Sequence, residues 1–433
     1  MRYYSTKQHS VDITLRNAMI DCYAPDGGQY LPAGLPVVPK AFINNMSEMS
    51  LRETAFVISS MLFGDDIGSA RLKAIADEAL SFDMPLTAVG RDRYMIELFH
   101  GPTLAFKDIS ARFMAGLTKE LYHDDDKPLN ILVTTIGNTG AAVANSFRNV
   151  KNVNVFVLFP KGVLTRSQLR QITGGGDNVR AIEVAGTIDD CKKMAGAALL
   201  DESLHQKMNI TSANSANIAR LLPQVIIFFY AAAKLNAMGV SPEKTVFSIP
   251  SGNLSAVTSG IISRCMGLGL GKLIAACNAN NPYYRYLATG QISSQPVRQT
   301  LARCMDTDIP TNLERLVSLY GNEPSRMREE IETATIGDDM IKATINRVLA
   351  EHGITIDPHT AVAFAAADML HPGEPALIFS TEHPAKSLDV MTSVTGKAME
   401  LPLQLTRFMA KTPHSDKLPP TYPALKKYLL QKQ

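Results

Sequence analysis

An α/β fold built on parallel strands is predicted by a pattern that recurs through the chain. A short run rich in β-branched residues enters a polar or glycine-bearing loop, and a helical pattern follows the loop. The pattern occurs four times with a fifth, shorter case, and its strand runs are residues 130–135, 153–159, 179–184, 245–249 and 376–379. Strands that alternate with helices in this way form parallel sheets covered by helices on both faces.

The loops that follow these strands are the first place to look for a ligand. Parallel sheets bind ligands at the carboxyl ends of their strands, where such loops collect. The loops in question are residues 136–140, 160–162, 185–187, 250–253 and 380–384.

The composition indicates a globular protein of two or three domains. The chain has 433 residues, of which 45% are hydrophobic and 19% charged, and a domain takes roughly 150 residues. The 43 basic and 41 acidic side chains leave a net charge of +2. That balance gives no overall basic surface for nucleic acid or for an acidic membrane, so a small-molecule ligand is expected.

We expect a cytoplasmic protein with no membrane span and no metal site. Residues 1–7 show neither the apolar core nor the cleavage site of a secretory signal. The longest purely apolar run, residues 225–233, has about half the length that a span needs. The five cysteines have no CxxC spacing, so reduced thiols fit better than a disulfide scaffold or a zinc site.

Two glycine-rich segments resemble nucleotide-binding motifs only superficially. Residues 174–179 lack the third glycine of GxGxxG and precede a strand, where the motif requires them to follow one. Residues 267–272 resemble a P-loop, but Met266 and Leu273 stand where the motif needs glycine and a hydroxyl residue. Both segments are interpreted as turns, the second as the end of a helix.

The loop Ser251-Gly252-Asn253-Leu254-Ser255 is a candidate phosphate site. It lies between a predicted strand and a predicted helix, where free N–H groups and the helix dipole favour an anion. A plain N-cap by Ser255 without any ligand explains the loop equally well.

Lys107 is the candidate nucleophile. It follows the apolar, small-residue segment Gly101-Pro102-Thr103-Leu104-Ala105-Phe106. Burial in such a segment lowers the pKa of a lysine and frees its neutral amine to form an imine. Pairing with Asp108 at the surface is the alternative, and composition alone favours that alternative.

Seven segments in chain order resemble one known family, and together they extend along nearly the whole sequence. They are Tyr4-Ser5-Thr6, Pro25-Asp26-Gly27-Gly28-Gln29-Tyr30-Leu31-Pro32, Leu98-Phe99-His100-Gly101-Pro102-Thr103-Leu104-Ala105-Phe106-Lys107-Asp108, Thr211-Ser212-Ala213-Asn214-Ser215-Ala216-Asn217-Ile218-Ala219-Arg220, Pro250-Ser251-Gly252-Asn253, Asp357-Pro358-His359 and His383-Pro384-Ala385-Lys386. The chain thereby resembles the threonine synthases, which are pyridoxal-phosphate enzymes of fold type II. The segment that ends in Lys107-Asp108 is the most specific match.

The resemblance implies an architecture. It implies two open, twisted, mostly parallel sheets covered by helices, and a mainly helical N-terminal domain at residues 1–90. A cofactor-binding α/β region would occupy residues 91–385, with two interleaved subdomains divided at roughly 125–225. Residues 386–433 would form a C-terminal helical segment.

The resemblance also implies a reaction and its cofactor. Pyridoxal 5'-phosphate would be held as a Schiff base on Lys107, which would also shuttle protons. O-phospho-L-homoserine and water would be converted to L-threonine and phosphate, the last step of threonine biosynthesis. The cofactor serves as electron sink for the carbanions of this lyase reaction.

Further roles follow by the same similarity. Asn138 would hydrogen-bond the ring hydroxyl of the cofactor, and Thr381 would meet its pyridine nitrogen. The cofactor phosphate would lie on Gly252, Asn253, Leu254 and Ser255, and the substrate carboxylate on Ile136, Gly137 and Thr139. The cations for the substrate phosphate are sought among Arg112, Lys161, Arg166 and Lys386.

The sequence departs from the family pattern at several of these loops. Ile136 and Asn138 stand in a loop that usually reads Ser-Gly-Asp-Thr-Gly, and residues 254–256 replace a Phe-Gly-Asp or Phe-Gly-Asn sequence. Residues 110–111 replace a glycine pair, Thr360 replaces glycine, and Glu382 replaces a small residue.

Two alternatives therefore stay open beside threonine synthase. One is another fold-type II enzyme, such as a serine or threonine dehydratase. The other is a catalytically weakened paralogue that acts as a binding protein. The sequence does not decide between a monomer and a homodimer.

Overall fold

The computed structural model describes residues 1–8, 12–123, 127–174, 176–409 and 412–432; Gly175, within the first glycine-rich segment, lies outside them. The strands within these residues are β1 (Tyr3–Ser5), β2 (Tyr30–Pro32), β3 (Leu86–Ala88), β4 (Arg93–Glu97), β5 (Leu129–Thr134), β6 (Val153–Pro160), β7 (Val179–Val184), β8 (Asn209–Ser212), β9 (Val246–Pro250), β10 (Leu273–Cys277), β11 (Ile331–Thr335), β12 (Ala376–Ser380) and β13 (Asp416–Leu418). The α-helices are α1 (Leu15–Asp21), α2 (Lys40–Asn45), α3 (Leu51–Phe63), α4 (Ser69–Ala79), α5 (Lys107–Leu121), α6 (Asn138–Ser146), α7 (Arg166–Thr173), α8 (Ile188–Leu199), α9 (Glu202–His205), α10 (Ile218–Leu221), α11 (Val225–Ala237), α12 (Ser255–Cys265), α13 (Pro282–Thr289), α14 (Leu313–Leu319), α15 (Pro324–Glu330), α16 (Asp338–His352), α17 (Pro358–Leu370), α18 (Leu388–Thr395), α19 (Leu403–Met409) and α20 (Tyr422–Gln431).

Two mainly parallel sheets form the framework, which confirms the predicted α/β fold class. The larger sheet has the strand order β11-β10-β9-β12-β4-β3, and only β3 runs antiparallel to its neighbour. The smaller sheet has the order β13-β7-β6-β5-β8, with every pair parallel. The chain leaves the larger sheet after β4, forms β5 to β8 of the smaller sheet, and returns at β9. The two sheets are therefore interleaved in sequence.

The five strand runs predicted from the sequence are β5, β6, β7, β9 and β12, each within one residue of its expected bounds. Of these five, β5, β9 and β12 have no exposed residue, whereas β10 is completely buried and was not predicted. Burial explains why β5, β6, β9 and β12 are mainly apolar. Strand β7 is less buried and carries Arg180 and Glu183 at half-buried positions.

The helical N-terminal region contains an amphipathic helix at Leu51–Phe63. This helix, α3, begins with a capping box in which the Ser50 hydroxyl accepts the Glu53 N–H at 3.3 Å and the Glu53 carboxylate accepts the Ser50 N–H at 2.8 Å. It buries Ala55, Ile58 and Leu62 on one face. Their spacing is the helical period that the sequence showed.

The most apolar helical stretch, Ile218–Ala237, is long enough and apolar enough to cross a membrane, and 94% of it is buried inside the protein. The ring of Phe228 lies 6.3 Å from that of Phe247 on β9 and 5.2 Å from that of Phe379 on β12. Its apolar surface therefore packs against the larger sheet as a core helix.

In residues 386–409 and 412–432, the described part of the C-terminal segment, the chain forms three α-helices and one strand. The strand, β13, joins the edge of the smaller sheet by pairing with β7, so that Asp416 lies opposite Ile182. Helix α20 then buries Leu425 and Leu429. The domain boundaries implied by the resemblance stay predictions.

Candidate active site

One cavity of about 280 Å³ lies where the loops after β5, β9 and β12 meet the start of α5. The structure brings together around it the ten residues that were predicted to hold the cofactor or the substrate carboxylate. They are Lys107, Ile136, Gly137, Asn138, Thr139, Gly252, Asn253, Leu254, Ser255 and Thr381. The loops meet because carboxyl ends of parallel strands open on the same edge of a sheet.

Lys107 is the first residue of α5, and its half-buried side chain has no hydrogen-bond or ion-pair partner in the described part of the chain. Burial lowers the pKa of Lys107 to about 7, with a further contribution from the positive charge of Arg220. The Nζ atom lies 4.3 Å from the centroid of the Phe106 ring. About half of the amines are therefore neutral near pH 7, which is the form that attacks a carbonyl carbon.

Asp108 does not pair with Lys107, so the alternative of a surface ion pair is wrong. Its buried carboxylate accepts the Thr103 N–H at 2.8 Å and the Thr103 hydroxyl at 2.7 Å. These bonds hold the loop before α5 in a fixed shape. Lys107 is left as the unpaired charge.

The loop between β9 and α12 presents free donors to the cavity. No group in the described residues accepts the N–H of Gly252, Asn253 or Leu254. They precede the first turn of α12, where the helix dipole adds positive potential. This is the arrangement that binds a phosphate.

Asn253 fixes the shape of this loop. Its Oδ1 accepts the Ser255 N–H at 3.1 Å, and its Nδ2 donates to Ser215 Oγ at 3.0 Å. Leu254 takes the left-handed conformation, with φ of 62°, and Ser255 is already helical. The alternative in which Ser255 caps the helix is therefore wrong, and Ser255 needs no glycine-like φ.

The loop between β5 and α6 offers a second group of donors. The Thr135 hydroxyl accepts the N–H groups of Gly137 at 2.9 Å and Gly140 at 3.0 Å. In the described part of the chain, the N–H groups of Asn138 and Thr139 have no acceptor. The side chain of Ile136 lines the cavity without any hydroxyl. A carboxylate can thus be held by backbone donors at the start of α6.

Glycine is required at two of these positions. Gly137 has φ of 149°, and a Cβ there would meet the Gln168 side chain at 2.3 Å. A Cβ on Gly252 would lie 2.8 Å from the Cα and 2.9 Å from the carbonyl oxygen of Met305. Both sites allow close approach of another segment because they lack a side chain.

Thr381 follows β12, and its backbone connects the loop after β12 to the segment just before Lys107. Its carbonyl oxygen accepts the Phe106 N–H at 2.9 Å, one residue before Lys107. The residue lines the cavity. This hydrogen bond holds Thr381, the residue predicted to meet the pyridine nitrogen, close to the segment that carries Lys107.

A hydrogen-bonded group whose members the sequence analysis did not place together lies beside Asn138. Potential ligand atoms of Cys304, His359 and Glu382 lie within 4.8 Å of one another. His359 Nδ1 donates to Asp357 Oδ2 at 2.6 Å, and His359 Nε2 accepts the Cys304 N–H at 3.2 Å. Both ring nitrogens already have partners, so the group is a hydrogen-bond network as it stands. No spacing in the sequence signals it, because its members are far apart along the chain.

The four cations predicted for a substrate phosphate lie outside the cavity lining. Arg112 donates to the Ala79 carbonyl at 2.9 Å, and Lys161 and Arg166 are exposed. Lys386 is buried and donates to the Thr103 carbonyl at 2.7 Å and to Gln171 at 3.1 Å.

A different cation, Lys192 on α8, lines the cavity. Its side chain is 38% exposed and lies 3.3 Å from the half-exposed carboxylate of Asp189. Lys192 is recognised as a cavity residue only because it lies on the face of α8 that lines the cavity. Sequence periodicity does not show which face of that helix meets a cavity.

Two residues that depart from the family pattern, Ser110 and Thr360, form hydrogen bonds in the core. Ser110 accepts a hydrogen bond from Arg220 Nε at 3.1 Å. Thr360 donates to Asp357 and is 2.9 Å from the Ser380 hydroxyl. Neither residue leaves a buried polar atom unsatisfied, so both are accommodated variations.

Comparison with known proteins agrees with this geometry. A family described as "Pyridoxal-phosphate dependent enzyme" matches residues 90–379, and "Threonine synthase N terminus" matches residues 2–80. The chain is 34% identical to the threonine synthase of Escherichia coli K12 and 32% identical to that of Haemophilus influenzae, with 100% of each chain covered.

Solved structures give the same result. The crystal structure of the Escherichia coli threonine synthase has a TM-score of 0.93 at 33% identity, with complete coverage of both chains. A pyridoxal-phosphate-bound threonine synthase from Brucella melitensis has a TM-score of 0.91 at 29% identity, covering 100% of this chain and 99% of the other. A threonine deaminase from Solanum lycopersicum has a TM-score of 0.53 at 15% identity, covering 74% of this chain and 85% of the other. That last likeness concerns the fold alone.

Fold, cavity and family match define a pyridoxal-phosphate-dependent enzyme of fold type II. The match to the threonine synthase N-terminal family and the full-length threonine synthase relatives identify the family within this class of enzymes. The chain belongs to the threonine synthase family.

Proposed function

We propose that this enzyme converts O-phospho-L-homoserine and water to L-threonine and phosphate, with pyridoxal 5'-phosphate bonded to Lys107. The observation that carries the proposal is one cavity that combines an unpaired, half-buried lysine with two separate helix starts that suit anions. One anion site serves the cofactor phosphate and the other the substrate carboxylate.

The residues around the cavity fit this cofactor. The free N–H groups of residues 252–254 suit its phosphate, and the partly neutral Lys107 suits its aldehyde. When bound, the cofactor supplies an electron sink for negative charge on the substrate carbons. The protein contributes Lys107 as covalent anchor and as proton carrier at Nζ, while Thr381 offers a neutral hydroxyl to the pyridine nitrogen.

Substrate recognition is assigned to α6 and α8. The free N–H groups of Asn138 and Thr139 hold the carboxylate, and the Ile136 side chain contributes an apolar wall. Apart from Lys107, Lys192 is the lysine or arginine that the described cavity lining contains, so we assign the substrate phosphate to it.

The dehydratase alternative and the binding-protein alternative are less well supported. The threonine deaminase structure aligns with only part of this chain, whereas threonine synthases align from end to end. A binding protein has no need for a lysine kept unpaired with its pKa near neutrality. We further propose a cytoplasmic location, where biosynthetic enzymes of this kind meet their substrates.

A substrate panel tests the proposal. The cofactor-loaded protein is incubated with O-phosphohomoserine, L-serine or L-threonine, and threonine, phosphate and 2-oxo acids are measured. We expect threonine and phosphate from the first substrate. Oxo acids from serine or threonine, without phosphate release from O-phosphohomoserine, would establish the dehydratase. No product from any of them, with cofactor bound, would establish the binding protein.

A further inference from the structure

The amide of Asn138 has an unusual set of partners. Its Nδ2 donates to a carboxylate oxygen of Glu382 and approaches Cys304 Sγ at 3.5 Å. Its Oδ1 is buried and has no hydrogen-bond partner in the described residues. Both N–H groups of the Asn138 amide are therefore directed at protein atoms, and its acceptor, Oδ1, remains without a donor.

Glu382 determines which way this amide faces. The carboxylate is 1% exposed, and its other oxygen accepts the Ser387 hydroxyl at 3.1 Å. An ionised carboxylate only accepts hydrogen bonds, so the amide must turn an N–H toward it. Reversing the amide would place Oδ1 against a carboxylate oxygen and lose a charge-assisted hydrogen bond.

The position of Glu382 is itself fixed. It follows Thr381 in the loop that bridges to Ala105, and His359 Nδ1 lies 3.9 Å from its Oε2. The buried ammonium of Lys386 is also close enough to interact with its charge. These groups stabilise a carboxylate in a place that is otherwise shielded from water.

We propose that Glu382 is a positioning residue that turns Asn138 into a hydrogen-bond acceptor toward the cofactor. The inference rests on the proposed cofactor binding and deepens it. Asn138 lines the cavity and has only Oδ1 left to offer. A ring hydroxyl that meets Oδ1 must keep its proton in order to donate it. The cofactor is thus held mainly with its ring hydroxyl protonated.

Absorption spectroscopy of the loaded protein tests this directly. Pyridoxal phosphate bonded to a lysine absorbs in the near ultraviolet when its ring hydroxyl keeps the proton, and in the visible when the oxygen is ionised. We expect the ultraviolet band to dominate in the native protein. In Glu382→Ala, the amide is free to reverse and donate, so the ratio of visible to ultraviolet absorbance should rise about tenfold, the equivalent of one charge-assisted hydrogen bond.

Three further variants separate positioning from a general structural effect. Glu382→Gln keeps the size of the side chain and should raise the visible band as well, because a neutral amide no longer dictates the orientation of Asn138. Combining Asn138→Asp with Glu382→Gln restores an acceptor at position 138 held by an amide donor, and should return the ultraviolet band. The matched control is Glu332→Ala, which removes a carboxylate bonded to Lys272 and His371 outside the cavity lining and should leave the spectrum unchanged.

The outcomes are distinguishable. Normal cofactor binding with the same band ratio in the native protein, Glu382→Ala and Glu382→Gln would overturn this inference and leave the proposed function standing. A native protein that already shows only the visible band would also overturn this inference and leave the proposed function standing. A native protein without cofactor absorbance would overturn both. Thermal melting of each variant identifies any that fails to fold, and Glu382→Gln then carries the test.

Discussion

At the scale of single residues, the proposed chemistry depends on one lysine that has no counter-charge. Lys107 lies beside an aromatic ring and near a buried guanidinium, while the neighbouring Asp108 is occupied by Thr103. An unpaired buried charge is costly to a fold, so its retention indicates a function.

Cofactor attachment should depend on pH in the direction set by Lys107. Its pKa is lowered to about 7, so the reactive neutral amine increases as pH rises through that value. We expect the rate of attachment to rise about tenfold per pH unit below 7 and to level off above it. Stopped-flow absorbance after mixing the cofactor-free protein with pyridoxal phosphate measures this. A rate that keeps rising toward pH 10 would show an ordinary lysine, and Lys107→Ala should show no attachment at all.

Lys192 should matter for the substrate phosphate, whereas its neighbour should not. Replacing Lys192 with alanine removes a half-exposed cation from the cavity wall, and we expect KM for O-phosphohomoserine to rise about fivefold. Lys193, the next residue on α8, is exposed and outside the lining, so Lys193→Ala is the matched control. Equal KM values for both variants would remove Lys192 from the substrate site.

At the scale of elements, the site is made by strand ends and helix starts. The loop before α12 provides free N–H groups only because Asn253 fixes its shape and Gly252 lets residue 305 approach closely. The first turn of α6 does the same for a second anion. Each element thus converts backbone polarity into a binding site without a charged side chain.

Substitution of Gly252 should weaken the phosphate loop. An alanine there would place a Cβ 2.8 Å from the Met305 backbone, and one of the two segments must move. Overpacking of this kind costs about 1–3 kcal/mol, so we expect the cofactor Kd to rise roughly tenfold or more. Titration with pyridoxal phosphate, followed by absorbance, measures it. Gly34→Ala, where a Cβ meets no atom within 4 Å, is the control; unchanged affinity in Gly252→Ala would show that the loop tolerates the shift.

Strands were predictable mainly where their burial produces a run of apolar residues in the sequence. Strands β5, β9 and β12 have no exposed residue and appear as largely apolar runs, although the fully buried β10 was not predicted. Strand β11 was missed because it mixes exposed, half-buried and charged residues at the edge of the larger sheet. Its pairing with β10 comes from tertiary structure and leaves no local pattern.

The same reasoning explains which parts of the site were missed. Lys107 and the loop at 251–255 have local signatures, namely an apolar segment and a strand–loop–helix junction. The bond between Asn138 and Glu382 joins residues 244 positions apart. Lys192 depends on which side of α8 faces inward. Contacts of that kind follow from the packing of whole elements.

At the scale of the whole molecule, the interleaved sheets place the site between them. Larger-sheet strands supply the loops that carry Lys107, the N–H groups proposed for the cofactor phosphate and Thr381, while the smaller sheet supplies α6 and α8. The proposed catalytic lysine and the proposed substrate-binding donors therefore belong to different sheets. A site of this kind requires the entire 91–385 region that the resemblance implies to fold together.

The most direct test of the account is the yield of two products from one substrate. The cofactor-loaded protein is supplied with O-phosphohomoserine, and threonine and inorganic phosphate are quantified over time. We predict that both accumulate in equal amounts, that neither forms in Lys107→Ala, and that activity in the native protein requires pyridoxal phosphate. Phosphate release without threonine, or no turnover by a protein shown to carry the cofactor, would contradict the assignment of this chain as a threonine-forming enzyme.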